Sequence, residues 1–142
     1  MSADGFYNAG AEGVSDDILS ALANSRDVQN LVGTPARLYS KHARGASYPY
    51  VLLERHETKE AGASGVRASE HVLQFASASR HGGMAEAKAI IGAIRRGIDD
   101  LPKQLGSQRI TLALPIYCDV MRTQNPLIFR GVLRVRLNTE EV

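Results

Sequence analysis

The chain has little of what most functional classes require. It has one cysteine, Cys118, in 142 residues. That excludes an internal disulfide and any cysteine-rich metal site, and it fits a reducing compartment. Tryptophan is absent and aromatics make up 6%, so the expected core is aliphatic. The formal charge is only +2, too small to mark a nucleic-acid or membrane footprint. No apolar run approaches the ~20 residues that span a bilayer. The N-terminal MSADGFYNAGAEG has neither the basic region nor the apolar core of a signal peptide. The expectation from these features is a cytoplasmic protein with a single domain and a core of its own.

The patterns that carry chemistry are also missing. There is no GxxxxGK[ST] loop, no GxGxxG after a strand and no GxSxG elbow. No His-x-x-x-His or Cys-x-x-Cys pair supplies metal-ligand spacing. The histidines His42, His56, His71 and His81 are scattered. His56 and His71 fall on strands expected to pair, yet two imidazoles without a third ligand do not make a zinc site. Cys118 lies among the apolar positions of its strand and reads as a buried structural thiol. Asp16, Asp17 and Asp27 read as helix-start and surface carboxylates. The expectation is therefore no catalytic residues, no metal and no cofactor: not an enzyme.

What is present is periodicity. In 84–101, MAEAKAIIGAIRRGIDDL, residues Met84, Ala87, Ile91, Ile94, Ile98 and Leu101 recur at gaps of three and four, which puts them on one helical face. His81-Gly82-Gly83 precedes the helix and Pro102 stops it. Gly92 and Gly97 each weaken it by roughly 1 kcal/mol, so either a close neighbour (a strand or a second subunit) lies there or both are surface glycines. An earlier helix is expected at 15–24, capped by Ser15, with Val14, Ile18 and Leu22 as its apolar stripe. A short turn follows at 25–31, capped by Ser25 or Asn24 and ended by Gly33.

Strands are expected at 36–41, 50–57, 69–78, 110–121 and 127–137. In the return strand His71, Leu73 and Phe75 share a face. In the fourth, Ile110, Leu112, Leu114, Ile116, Cys118 and Val120 alternate with polar or small residues, and Pro115 marks an edge, a bulge or a break. The fold class that follows is α+β: a mostly antiparallel sheet of about five strands, a long helix across one face and an N-terminal helix. Residues 1–13 read as a flexible lead-in, 14–137 as the domain and 138–142 as a frayed tail. The Gly-rich 58–68 reads as a mobile hairpin tip. Arg130, Arg134 and Arg136 share the non-core face of the last strand, with Arg122 as an extension. That basic stripe is a solvated face, an inter-subunit surface pairing with carboxylates, or a nucleic-acid contact. It lacks the interleaved aromatics of a single-strand platform.

Taken in order, LSALANSRDVQNLVGTPARLY (19–39), YPYVLLERHE (48–57), EHVLQFASAS (70–79), the long helix and FRGVLRVRL (129–137) resemble the tail-terminator, or tail-completion, proteins of long-tailed phages and phage-like gene transfer agents. The resemblance covers about 15–137. Its carriers include the Arg37-x-Tyr39 pair, Pro49 before a strand and Gly131 in the last one. It implies a structural virion protein of the tail or neck, assembled in the bacterial cytoplasm. Its partners would be itself, in a hexameric ring, the tail tube protein and the head-neck connector or stopper. The ring would cap the finished tube, end its polymerisation and join tail to head, with DNA passing through the lumen unread and no membrane involved. Under that reading the 58–68 tip, with Lys59, Glu60 and Arg67, is a docking element. Arg122, Arg130, Arg134 and Arg136 are then interface or lumen residues. The alternatives are another neck protein, such as a head-tail adaptor or stopper, and a small nucleic-acid-binding module.

Overall fold

The computed structural model describes residues 9–41 and 44–142. Most of the expected lead-in, 1–8, and His42 with its neighbour lie outside the described residues. The part of the lead-in that is described is ordered: a 3-10 turn, Ala9–Gly13, buries Ala11 completely. It runs straight into α1, Val14–Ala23, so the helix starts one residue early with Gly13 as its cap. Ser15 therefore lies inside the helix instead of capping it. Val14, Ile18 and Leu22 are buried at a spacing of four, one face of the helix. Helix α2, Arg26–Val32, follows, and the Ser25 hydroxyl accepts from the Val28 N–H at 3.4 Å. Gly33 ends it at φ 94°, a left-handed conformation that favours glycine.

The sheet has six strands, not five, and is mixed. Strand β1 is Leu38–Tyr39, β2 is Tyr50–Glu60 and β3 is Ala68–Ser79. The long helix α3, Gly83–Asp99, separates these from β4, Gln104–Leu105, β5, Gln108–Arg122, and β6, Phe129–Glu141. The order across the sheet is β1-β2-β3-β6-β5-β4. The short β1 pairs parallel to β2, and every other pair is antiparallel. The last strand is thus inserted between β3 and β5, where both of its ladders are satisfied. It does not fray at residue 138: Asn138, Thr139 and Glu140 pair with Glu70, Ser69 and Ala68. The hairpin between β2 and β3 is shorter than the sequence suggested. Pairing continues through Lys59↔Glu70 and Glu60↔Ser69, which leaves 61–67 as the tip, with a bridge between Ala63 and Val66 inside it.

The helices and one sheet face enclose a single aliphatic core that includes Ile18, Leu22, Phe75, Ile90, Ile94, Ile98 and Leu133. Helix α3 lies against β3, β5 and β6, and also against α1 and α2. Its apolar stripe is buried from Ala87 to Ile98, while Met84 at its start is 40% exposed. Two glycines allow these close approaches. A Cβ on Gly131 would lie 2.6 Å from Ile91 of α3, and one on Gly97 would lie 2.5 Å from Leu22 of α1. The close neighbour at Gly97 is therefore a helix of the same chain, while Gly92 meets only the Arg96 guanidinium at 3.4 Å.

Irregularities in β2 and β5 decide which side chains face the helices. The ladder between β2 and β3 passes from Leu53↔Phe75 to Arg55↔Gln74, so Glu54 is bulged. A bulge reverses the parity of everything after it. His56 and Thr58 thereby turn to the helix side, opposite Leu73 and His71, and Arg55, Glu57 and Lys59 turn outward. In β5 the register slips twice, at Thr111 and at Ile116. The strict alternation of apolar residues along 110–120 therefore does not define one face. Leu112, Leu114, Tyr117 and Met121 share the outer face with Arg134 and Arg136, while Ala113, Pro115, Cys118 and Val120 face the helix side. Cys118, though on the helix side, is exposed, not a buried thiol.

Candidate assembly surfaces and a buried histidine pair

On the outer sheet face the expected arginine stripe exists, and each of its three arginines has a partner. Arg130 makes a two-pronged ion pair with Glu54, one prong being Nη1 to Oε2 at 3.1 Å. Glu54, next to the inward-facing Leu53, lies on the same outer face. Burial works to raise the Glu54 pKa. Hydrogen bonds from Arg130 and Gln74, with the charge of Arg130, outweigh this and hold the carboxyl below its usual value. Arg134 donates twice to Gln74 Oε1, at 3.0 and 2.8 Å, and its guanidinium lies over the Tyr117 ring at 5.1 Å. Arg136 Nε lies 3.3 Å from Glu70 Oε1, an ion pair without hydrogen-bond geometry. Two of the three charges are thus offset by carboxylates, while Gln74 satisfies the Arg134 donors without offsetting its charge. The stripe keeps little of the excess charge that phosphate binding needs. Arg122 does not extend the stripe. It pairs with Phe129, one position beyond Met121↔Arg130, so it faces the other side, with its guanidinium 5.2 Å from the Phe129 ring centre.

The remaining expected interface residues gather at the far end of the β2–β3 hairpin. Lys59 stands opposite Glu70 on the outer face, exposed. Glu60 accepts from the Gly62 N–H at 3.2 Å. Arg67 reaches Glu141 at 3.9 Å, and its carbonyl accepts from the Glu141 N–H. The hairpin tip and the end of β6 thus form one corner. The pattern of residue types did not reveal Glu54, Gln74 or Tyr117 as partners of the arginines. Their roles depend on the bulges and on β6 lying between β3 and β5.

The other feature that the residue pattern concealed is the β5 edge. Strand β4 covers β5 only at Gln108 and Arg109, so 111–122 has no neighbouring strand on its outer side among the described residues. This stretch carries Leu114 at 47% exposure, Ile116 at 47% and Tyr117 at 45%. Leu127, in the turn that follows, is 57% exposed. A long edge strand with apolar side chains is a template for pairing with another chain unless it is defended.

Inside the hairpin, His56 and His71 meet. The bulge brings His56 Nε2 to 2.8 Å from His71 Nδ1, and the His71 Nε2 contacts the Thr139 hydroxyl at 2.9 Å. Thr58 Oγ1 closes the group at 3.1 Å from His56 Nε2 and 3.4 Å from His71 Nδ1. His71 is completely buried. Burial, with the neighbouring His56, pushes its pKa down to about 4, and burial also lowers that of His56. At 2.8 Å two facing ring nitrogens share one proton, so one donates and the other accepts. No group of three or more His, Cys, Asp or Glu able to hold a metal ion occurs among the described residues. No helix among them is long and apolar enough to cross a membrane.

The fold and these surfaces define a class: an α+β subunit whose sheet is covered on one face and left open along two edges. The family model for tail completion protein gp17 matches residues 16–140, and the chain belongs to that family. No curated protein matches it. Among solved structures it is similar to a chain in the virion of a native gene transfer agent particle. That likeness has a TM-score of 0.79 at 21% identity and covers 94% of this chain and 98% of the other. It is also similar to the gp17 protein of bacteriophage SPP1, with a TM-score of 0.62 at 12% identity, covering 92% and 91%.

Proposed function

We propose that this chain is a structural subunit of a phage-like tail and that copies of it form a ring, most simply a hexamer, on the end of the tail tube. The ring ends tube polymerisation and offers its other side to the head-neck connector or stopper. The observation that carries this reading is the tail-completion family match over 16–140. The similarity of fold to a chain of a gene transfer agent virion, over nearly the whole of both chains, supports it. The surfaces fit as well. Six copies carry a formal 6 × +2 = +12, yet Arg130, Arg134 and Arg136 are each held by groups of the same subunit. Such a surface lets DNA pass through a lumen without gripping it. In this reading the protein resides in the virion tail or neck, binds the tail tube protein and the connector, and catalyses nothing.

Light scattering or native mass spectrometry across a concentration series tests the assembly, one subunit being 15.4 kDa. A species near six times that mass, or ring formation on added tail tubes, is the expected result. A chain that stays monomeric and does not bind tube ends defeats the proposal. The docking role falls on the tip 61–67 with Lys59, Glu60 and Arg67. Replacing 61–67 by a two-residue turn keeps the Glu60↔Ser69 pair and removes the Ala63–Val66 bridge and the Arg67–Glu141 contacts. Particles from that variant are expected to have overlong or unjoined tails, and normal particles would dismiss the tip as the docking element.

A further inference from the structure

We propose that the open β5 edge of one copy pairs with the open β2 edge of a second copy, so that the sheet runs on across the subunit boundary. This rests on the ring reading above and specifies its lateral contact. Among the described residues two strands keep long unpaired edges. Strand β1 covers β2 only at Val51 and Leu52, leaving 53–60. Strand β4 covers β5 only at its start, leaving 111–122. Pro115 has no N–H, and within a ladder it is tolerated where its nitrogen faces away from the paired strand. It therefore divides the open edge and leaves 116–122 for pairing, of which 118–122 can lie opposite 56–60. The β2 edge carries Arg55, Glu57, Lys59 and Glu60, while the β5 edge carries Ile116, Tyr117 and Met121 with Asp119 and Arg122. One edge is charged and the other mainly apolar, so neither is suited to its own copy. The two edges lie on opposite sides of one sheet. A β5-to-β2 contact therefore leaves a free edge at each end of a pair and continues until a ring closes.

Strand direction fixes the register. Because β2–β3, β3–β6 and β6–β5 are all antiparallel, β5 runs opposite to β2. A rotation about an axis along the strands preserves that relation, so β5 meets the next copy's β2 antiparallel. Like charges directly opposite are unfavourable and opposite charges favourable. Placing Asp119 opposite the partner's Lys59 sets Cys118 opposite Glu60 and Val120 opposite Thr58. The alternative of sliding by two residues sets Asp119 against Glu57. Cys118 and Glu60 both point to the helix side in their own sheets, opposite Leu133 and Ser69, as residues facing each other in one ladder must.

The native Cys118, exposed and the only cysteine, makes the test direct. Opposed residues in an antiparallel ladder bring Cα atoms within disulfide reach. Under mild oxidation Glu60→Cys is expected to yield a ladder of cross-linked species rising to the ring mass, while Glu57→Cys and Lys59→Cys, which point to the other face, do not. Asp119→Lys is expected to weaken assembly at least tenfold, and Lys59→Asp added to it to restore most of the loss. All four positions are on the surface strands and outside the core, and circular dichroism of each variant checks that it is folded. A ring of the right mass without the Glu60→Cys cross-link overturns the edge pairing and leaves the ring standing. A chain that never forms a ring, even on tail tubes, overturns the ring reading itself.

Discussion

Protonating the buried histidine pair should destabilise the fold within a defined pH window. His71 is completely buried, and the partners of its ring nitrogens are His56, Thr58 and Thr139, none of them a carboxylate. A second proton on the pair would set two donors against each other at 2.8 Å. The unfolded chain binds a proton near the ordinary imidazole value of 6.5, the folded one only at about 4. Between those values the unfolded state holds more protons, so stability falls as pH falls through the window and is complete above it. At 1.36 kcal/mol per unit the loss is about 3 kcal/mol, a large share of the 5–15 kcal/mol that holds a typical domain. The lowered pKa of His56 acts in the same direction. Glu54 acts elsewhere: its depressed pKa gives stability that is present above its unfolded value of 4.5 and lost only below it. Urea titrations at pH 8, 6.5, 5 and 4, at concentrations where the chain is monomeric, separate the two. The unaltered protein should lose most of the 3 kcal/mol between pH 6.5 and 4. His71→Gln, which keeps a hydrogen-bonding group and does not titrate there, should show a much shallower loss. Parallel losses in the two proteins would refute the reasoning.

Three further substitutions test particular contacts. Gly92→Ala should stabilise by about 1 kcal/mol through helix propensity, since its Cβ meets only the movable Arg96 guanidinium at 3.4 Å. Gly97→Ala should destabilise by roughly 1–3 kcal/mol, because its Cβ would strike Leu22, which is 1% exposed and held in the core. Thermal unfolding of both variants checks the opposite signs. Glu54→Gln should cost about 1 kcal/mol, in keeping with a partly exposed pair, since the Arg130 side chain is 37% exposed. The change should flatten the stability profile below pH 4.5, read by the same titrations extended to about pH 3.

Much of the fold was legible because much of it is local. The 84–101 periodicity fixed α3, since a helical face depends only on residues three and four apart. The Ser25 cap and the Gly33 stop were readable from residue type, as was the face shared by His71, Leu73 and Phe75. The order of weak motifs along the chain carried the family. Ser15 was misread because its helix is started by the preceding 3-10 turn and not by a cap.

What only the tertiary structure decided are the relations between strands. Alternation within a strand says which residues share a face, but a bulge reverses that assignment and is set by the partner strand. So the sequence alone made the apolar positions of 110–120 one buried face, whereas the slips in β5 put Leu112 and Leu114 on the outer face, and Cys118, though on the helix side, is exposed. The sequence showed three arginines without their partners, because Glu54, Gln74 and Glu70 reach them only once β6 lies beside β3. It showed two histidines on neighbouring strands, and the same bulge turned His56 inward onto His71. It ended the domain at residue 137, and the insertion of β6 between two strands held the chain to Glu141. The amino-acid pattern by itself determined the helices, five of the six strands and the family, while the two-residue β4 exists only through its pairing with β5. The tertiary structure decided the register, and with it which charges are neutralised and which edges stay open, because register is a property of strands far apart in the chain.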